Sequence, residues 1–130
     1  MNETTYLFDT GALIDIYRGR QTIRPFFDDI VGESAMAYVS PISEAELWFG
    51  LRPGEQEQHE ALLSFFIPLP LMSKAGRLAG EWMQQYGARG LGWMDALIVA
   101  TARLADLPVL TRDRRLTDLL TGQAEFILYD

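Results

Sequence analysis

The sequence contains no cysteine and a single histidine, His59. Without cysteine there can be no disulfide and no thiolate metal site. One histidine is too few for an imidazole-rich zinc or iron centre. Any metal bound by this chain must therefore be a hard cation held by oxygen, such as Mg²⁺ or Mn²⁺. Long apolar runs are also missing. None approaches the roughly 20 residues that a membrane helix requires, so no membrane is expected and a soluble protein is; the lack of cysteine permits a cytoplasmic one. Met1 to Thr5 has no basic stretch, and the apolar segment after it is short, so no leader peptide is expected. Bases are scarce as well: 11 stand against 18 acids, a net charge of −7. Nonspecific nucleic-acid binders usually read basic. A nucleic-acid function is then compatible only if the acids gather at a metal site and the bases lie elsewhere.

What is present is a chain of 130 residues, 48% of them apolar. That is the size of one domain with a real core. Short β-like runs alternate with helical ones. Strands are predicted at 6–8, 35–39, 108–111 and 126–129, with a short extended edge piece at 67–71 marked by Pro68 and Pro70. Helices are predicted at 12–17, 23–31, 41–49, 55–65, 73–86, 93–105 and 114–120. The 93–105 helix has almost no polar face and should be buried on most sides. Alternation of this kind predicts a three-layer α/β/α sandwich with a mostly parallel central sheet.

Open sheets of that type place ligands at the carboxyl ends of their strands. Asp9 follows the first strand directly, in YLFDTGALID, and Asp113 follows PVLT by two residues. Each could be no more than a helix cap. Asp95, in the first turn of the apolar helix, is favoured there by the helix dipole alone. Glu46 lies in SPISEAELWFG. Pro41 at the first helical position makes Ser40 the cap, which puts Glu46 in the second turn among Ala45, Leu47 and Phe49. Glu44 points about 200° away around that helix, and spacing does not choose between the two acids. Separately, each acid has an ordinary structural explanation. Together, they would converge on one end of the sheet if the strands adjoin, and clustered carboxylates are relieved by a divalent cation.

Three segments, YLFDTGALIDIYRG, VSPISEAELWFG and MDALIVATARLADLPVLTRD, in this order and at these separations, resemble the PIN-domain ribonucleases. They are most similar to the VapC-type toxins of toxin–antitoxin pairs. The likeness spans nearly the whole chain and implies one PIN-like nuclease domain over residues 1–130. The family's "S-x-x-[ST]-x-x-E-L" segment selects Glu46 over Glu44. The resemblance implies a metal-dependent endoribonuclease whose acids Asp9, Glu46, Asp95 and Asp113 bind Mg²⁺ or Mn²⁺. Asp9 and Asp95 are the expected direct ligands, and Glu46 and Asp113 would ligate directly or through water. Thr10 and Thr111 would orient those carboxylates. Arg112, Arg114, Arg115 and Arg89 are the candidates for RNA phosphate contact.

Further implications are a small antitoxin with a basic segment and a homodimer that could use the apolar residues of the 23–31 and 55–65 helices. The chain departs from the family at two positions. Gly11 stands where many relatives have Asn or Ser, and Leu116 where many toxins carry an acid, with Asp118 out of register. These departures keep two rivals open, a PIN nuclease without an antitoxin and an inactive PIN-like binding module. A haloacid-dehalogenase-type phosphatase is discounted because Gly11 breaks its D-x-D pattern. Trp48, Trp82 and Trp93 are expected in core or interface. His59, in EQEQHEA, is expected at the surface, as are Asp28, Asp29 and the acids of 55–60.

Overall fold

The computed structural model describes residues 4–130. Of the Met1–Thr5 stretch read for a leader, residues 1–3 lie outside the described residues. Five strands form one sheet in the order β3-β2-β1-β4-β5. They are β1 (Thr4–Phe8), β2 (Ala35–Val39), β3 (Phe66–Pro68), β4 (Val109–Thr111) and β5 (Phe126–Leu128). Every pairing is parallel. The helices are α1 (Thr10–Tyr17), α2 (Arg24–Val31), α3 (Pro41–Phe49), α4 (Gln56–Leu63), α5 (Ser73–Tyr86), α6 (Trp93–Leu104) and α7 (Arg114–Leu119). A single 3-10 turn at Gly87–Arg89, with no counterpart in the sequence reading, joins α5 to the loop before α6.

The pleat of β1 divides the core into two. Tyr6 and Phe8 pack on one side with Ala12 and Leu13 of α1, Ile30 of α2 and Ile23 just before α2. Leu7 points to the other side, where Ala75, Ala79 and Trp82 of α5 meet Ile98 to Ala100 of α6. In β4, Val109 joins the second core and Leu110 the first. The result is a sheet covered on both faces, the three-layer α/β/α sandwich expected from the alternation.

The boundaries of α4 and β3 shift from the sequence reading. The helix ends at Leu63 and the strand begins at Phe66, because Phe66 is needed in the first core. β3 is an edge strand and ends at Pro68, a residue with no N–H to offer a further neighbour.

His59 is not a surface residue; it is 1% exposed. The polar run around it forms α4, and His59 is the inward residue of that helix. Its ring stacks on Tyr17 and tilts against Trp48, while the Tyr17 hydroxyl hydrogen-bonds Nδ1. Trp82 fills the second core, whereas Trp48 and Trp93 are about half exposed.

Candidate active site

The chain runs β1, β2, β3 outward on one side of the sheet, then returns to place β4 and β5 on the other. The direction of winding reverses between β1 and β4, where a crevice opens beyond the strand ends. Both strands deliver an acid into it. The Asp9 backbone N–H donates to the Leu110 carbonyl at 3.2 Å, so Asp9 leaves β1 still bound to β4. Asp113 follows two residues after β4 ends.

Both residues are helix caps as well as crevice acids. Asp9 Oδ1 accepts the Ala12 N–H at 2.7 Å, and Asp113 Oδ1 accepts the Leu116 N–H at 3.0 Å. The second Asp9 oxygen accepts a hydrogen bond from the Thr111 hydroxyl. Thr111 Oγ1 in turn accepts the Asp113 N–H at 3.1 Å. One fully buried threonine thus ties the two acids together. Capping leaves lone pairs free on each carboxylate, so the cap and a ligand role are compatible.

Asp95 stands in the first turn of α6, and Glu46 in α3. Ser40 caps α3, accepting the Ile42 N–H at 3.0 Å with Pro41 behind it, which fixes the helical frame. In that frame Glu46 Oε1 accepts the Thr10 hydroxyl at 2.8 Å. Thr10 also lies 2.8 Å from the Ser43 hydroxyl. With one proton per hydroxyl, Ser43 donates to Thr10 and Thr10 to Glu46. Ser43, the Ser-or-Thr position of the family's segment and one helical turn before Glu46, is fully buried. Glu44 instead faces an apolar groove beside Pro41, Ala45, Trp48 and His59.

A cleft of about 500 Å³ is lined by Asp9, Thr10, Gly11, Asp95, Thr111 and Asp113, with Arg112 and Arg114 at its wall. Burial pushes the Asp9 carboxyl up to about 6, against the lowering bonds from Thr111 and Ala12, and the charges of Asp95 and Asp113 raise it further. The Asp95 side chain opens to solvent in the cleft, yet the protein around it raises its carboxyl, followed by Asp113 and Glu46. These acids therefore sense one another, which is the electrostatic condition that a cation relieves. The donors are all oxygen, the chemistry of a hard divalent cation. They do not close a cage: among the described residues, no three acid or histidine side chains stand close enough to enclose an ion.

The arginines divide. Arg112 does not stand free in the cleft: Asp15 holds it edge-on, with Nε–Oδ2 at 2.7 Å and Nη2–Oδ1 at 3.2 Å. Asp15 was missed from sequence because it reads as an ordinary polar position in an amphipathic helix, yet it is 1% exposed. Arg114 pairs with Asp130 at 3.1 Å in a highly exposed contact, of a kind that contributes little to stability. Arg115 donates to the Arg89 carbonyl at 3.3 Å, and the Arg89 guanidinium lies 5.6 Å from the Tyr86 ring centre. Gly90, at φ 108°, leaves the space that Arg115 occupies, since a Cβ there would fall 1.9 Å from Arg115 Nη2. At the departure position, Leu116 is buried in the second core.

The sequence profile of the PIN domain matches residues 6–119, which span all four acids. The chain belongs to the PIN-domain family. Among relatives of this PIN-domain protein is Ribonuclease VapC10 from Mycobacterium tuberculosis, 33% identical over 107 residues, which are 81% of this chain and 80% of that one. A toxin–antitoxin complex from Klebsiella pneumoniae contains a chain with a TM-score of 0.72 at 28% identity, covering 94% of this chain and 95% of the other. VapBC2 from Rickettsia felis, solved with a DNA fragment from its promoter, matches with a TM-score of 0.78. The match covers 98% of this chain and all of that one. At 19% identity it speaks for the fold alone.

Proposed function

We propose that this PIN-domain protein is a divalent-metal-dependent endoribonuclease and the toxin of a toxin–antitoxin pair. The observation that carries the reading is the mutual electrostatic strain of Asp9, Asp95 and Asp113 at the β1–β4 reversal, with Glu46 tethered beside them through Thr10. Kinship with a ribonuclease and a toxin–antitoxin complex supports the choice of substrate and partner.

Asp9 and Asp95 would hold Mg²⁺ or Mn²⁺, and Glu46 and Asp113 would join directly or through water. A divalent ion there supplies charge neutralisation at the phosphodiester and acidity to the attacking water. The chain's own part is orientation. Thr111 aims the Asp9 carboxylate, Thr10 aims Glu46, and the two helix caps fix the backbone from which Asp9 and Asp113 project. Arg114, Arg115 and Arg89 offer cations for the RNA backbone; Arg114 in particular can exchange its exposed Asp130 partner for a phosphate. Arg112 is engaged by Asp15.

The acidic mouth suits a basic antitoxin segment. For self-association, Phe27 and Phe65 already pack edge to face and join α2 to the turn after α4, leaving Val31 and Phe65 about half exposed for a second copy.

The test is cleavage of a mixed set of structured RNAs by antitoxin-free protein with Mg²⁺ or Mn²⁺, beside Asp9→Asn purified identically and an EDTA control. Cleavage that requires both the ion and Asp9 is expected. Equal cleavage by wild type and variant would overturn the assignment.

A further inference from the structure

Asp15 is a buried acid near the end of α1 that touches none of the four crevice acids but is bound from three directions. Arg112 grips it with two N–H groups, Tyr129 donates its hydroxyl at 2.6 Å, and Arg20 Nε lies 3.9 Å away. Burial alone would raise its carboxyl; the Arg112 and Tyr129 bonds outweigh that and hold it below the ordinary range. Burial and the Asp15 contact push the Tyr129 hydroxyl far up, so it stays a donor. The network joins α1, the segment after β4 and the residue that follows β5.

The location of the gripped residue gives the network its meaning. Arg112 sits between Thr111, which donates to Asp9, and Asp113, whose N–H returns to Thr111 Oγ1. A planar guanidinium held by two parallel bonds has little freedom to swing or twist. Holding Arg112 therefore holds the three-residue turn on which Thr111 and Asp113 are carried. Partners one step behind a ligand commonly matter to metal affinity by about 10–100-fold.

We infer that Asp15 is a positioning residue: through its fork with Arg112 it fixes the Thr111–Asp113 turn, and so sets the affinity of the crevice for a divalent cation. The inference rests on the proposed metal site and adds residues that no ligand pattern would include.

The sign of one substitution separates positioning from a simple field effect. By Coulomb's law, removing the Arg112 cation should favour a bound cation, and removing the Asp15 anion should disfavour it. Positioning requires both to weaken binding. The experiment is Mn²⁺ titration by calorimetry of the full chain, well below the melting temperature of each variant. The set is wild type, Asp15→Asn, Arg112→Gln and the double variant.

Mn²⁺ affinity is expected to fall about tenfold in each single variant and by the same total of about tenfold, not a hundredfold, in the double variant, because the two act as one unit. In Arg112→Gln the Tyr129 hydroxyl still donates to Asp15 and Arg20 stays 3.9 Å away, so that variant, checked for a cooperative melt, decides the matter even if Asp15→Asn does not fold. A role in stability alone would lower melting temperatures and leave Mn²⁺ affinity within twofold of wild type, which overturns the inference. Tighter Mn²⁺ binding by Arg112→Gln, or single losses that multiply in the double variant, overturns it too. In those cases wild-type binding leaves the proposed function standing. A wild type that binds no Mn²⁺ overturns the metal site and this inference together.

Discussion

The Thr10 hydroxyl donates to Glu46 Oε1 at 2.8 Å, bridging α1 and α3 across 36 residues of sequence. Ser43 stands behind it, so a hydroxyl relay aims one glutamate of α3 at the crevice. Glu44, two residues earlier, is turned into the apolar groove beside Trp48 and His59.

The two glutamates should therefore separate in function. Glu46→Gln is expected to lower the rate of metal-dependent RNA cleavage by about 10²-fold or more, the scale of losing a positioned catalytic group. Glu44→Gln should stay within about threefold of wild type, since it removes a charge away from the crevice. Single-turnover rates for both variants check this. Equal losses would mean that α3 is not oriented by Thr10 as described.

The Asp9 carboxyl, raised to about 6 from 3.8, links pH to stability. Between those values the folded protein retains a proton that the unfolded chain releases. Stability of the ion-free protein therefore falls as pH rises from about 4 to 6, and the cost is fully present above 6. Its size is on the order of 3 kcal/mol. Asp9→Asn should accordingly melt several degrees above wild type at pH 7.5 without metal, with the gap closing towards pH 4. Mn²⁺ should raise the wild-type melting temperature more at pH 7.5 than at pH 5, because protons compete for the same carboxylate. Thermal melts across pH would refute the assignment if the gap between wild type and variant stayed constant.

Gly11 departs from many relatives, but nothing about its backbone demands glycine. It lies in the first turn of α1, and a Cβ there would meet Asp9 Oδ1 at 3.5 Å, an ordinary contact. Gly11→Ser should be stabilising by about 0.5 kcal/mol, from helix propensity alone. Cleavage should persist. A destabilisation exceeding about 1 kcal/mol in a denaturant titration would show an unseen constraint at this position.

The other departure should behave in the opposite way. Leu116 is 3% exposed within the core that contains Leu120 and Trp82. Leu116→Asp would bury a carboxylate without a partner and lose apolar packing, at a cost of about 3–5 kcal/mol. Circular dichroism should show a strongly lowered melting temperature or no cooperative transition. A variant as stable as wild type with faster cleavage would show instead that an acid is accommodated at this position.

Much of this protein follows from local patterning. The alternation of short β runs with helices, Pro41 behind Ser40, and the apolar α6 segment are consequences of sequence spacing, because turns, caps and amphipathic faces are short-range physics. The strand over 35–39 and the helix over 73–86 have the predicted limits. Asp9 and Asp113 could be placed after strands on the same ground.

Tertiary structure decided what local pattern left equal. Whether an acid is only a cap, or a cap facing two other acids, depends on β1 lying beside β4, a pairing about a hundred residues apart in sequence. The same pairing brings Thr111 to Asp9 and Arg112 to Asp15, and it gives a buried role to an acid that reads as solvated in α1. His59 moved from surface to interior because Tyr17 and Trp48, from two other helices, close over it. Spacing along one helix says which residues share a face; only the packing of several elements says what that face meets.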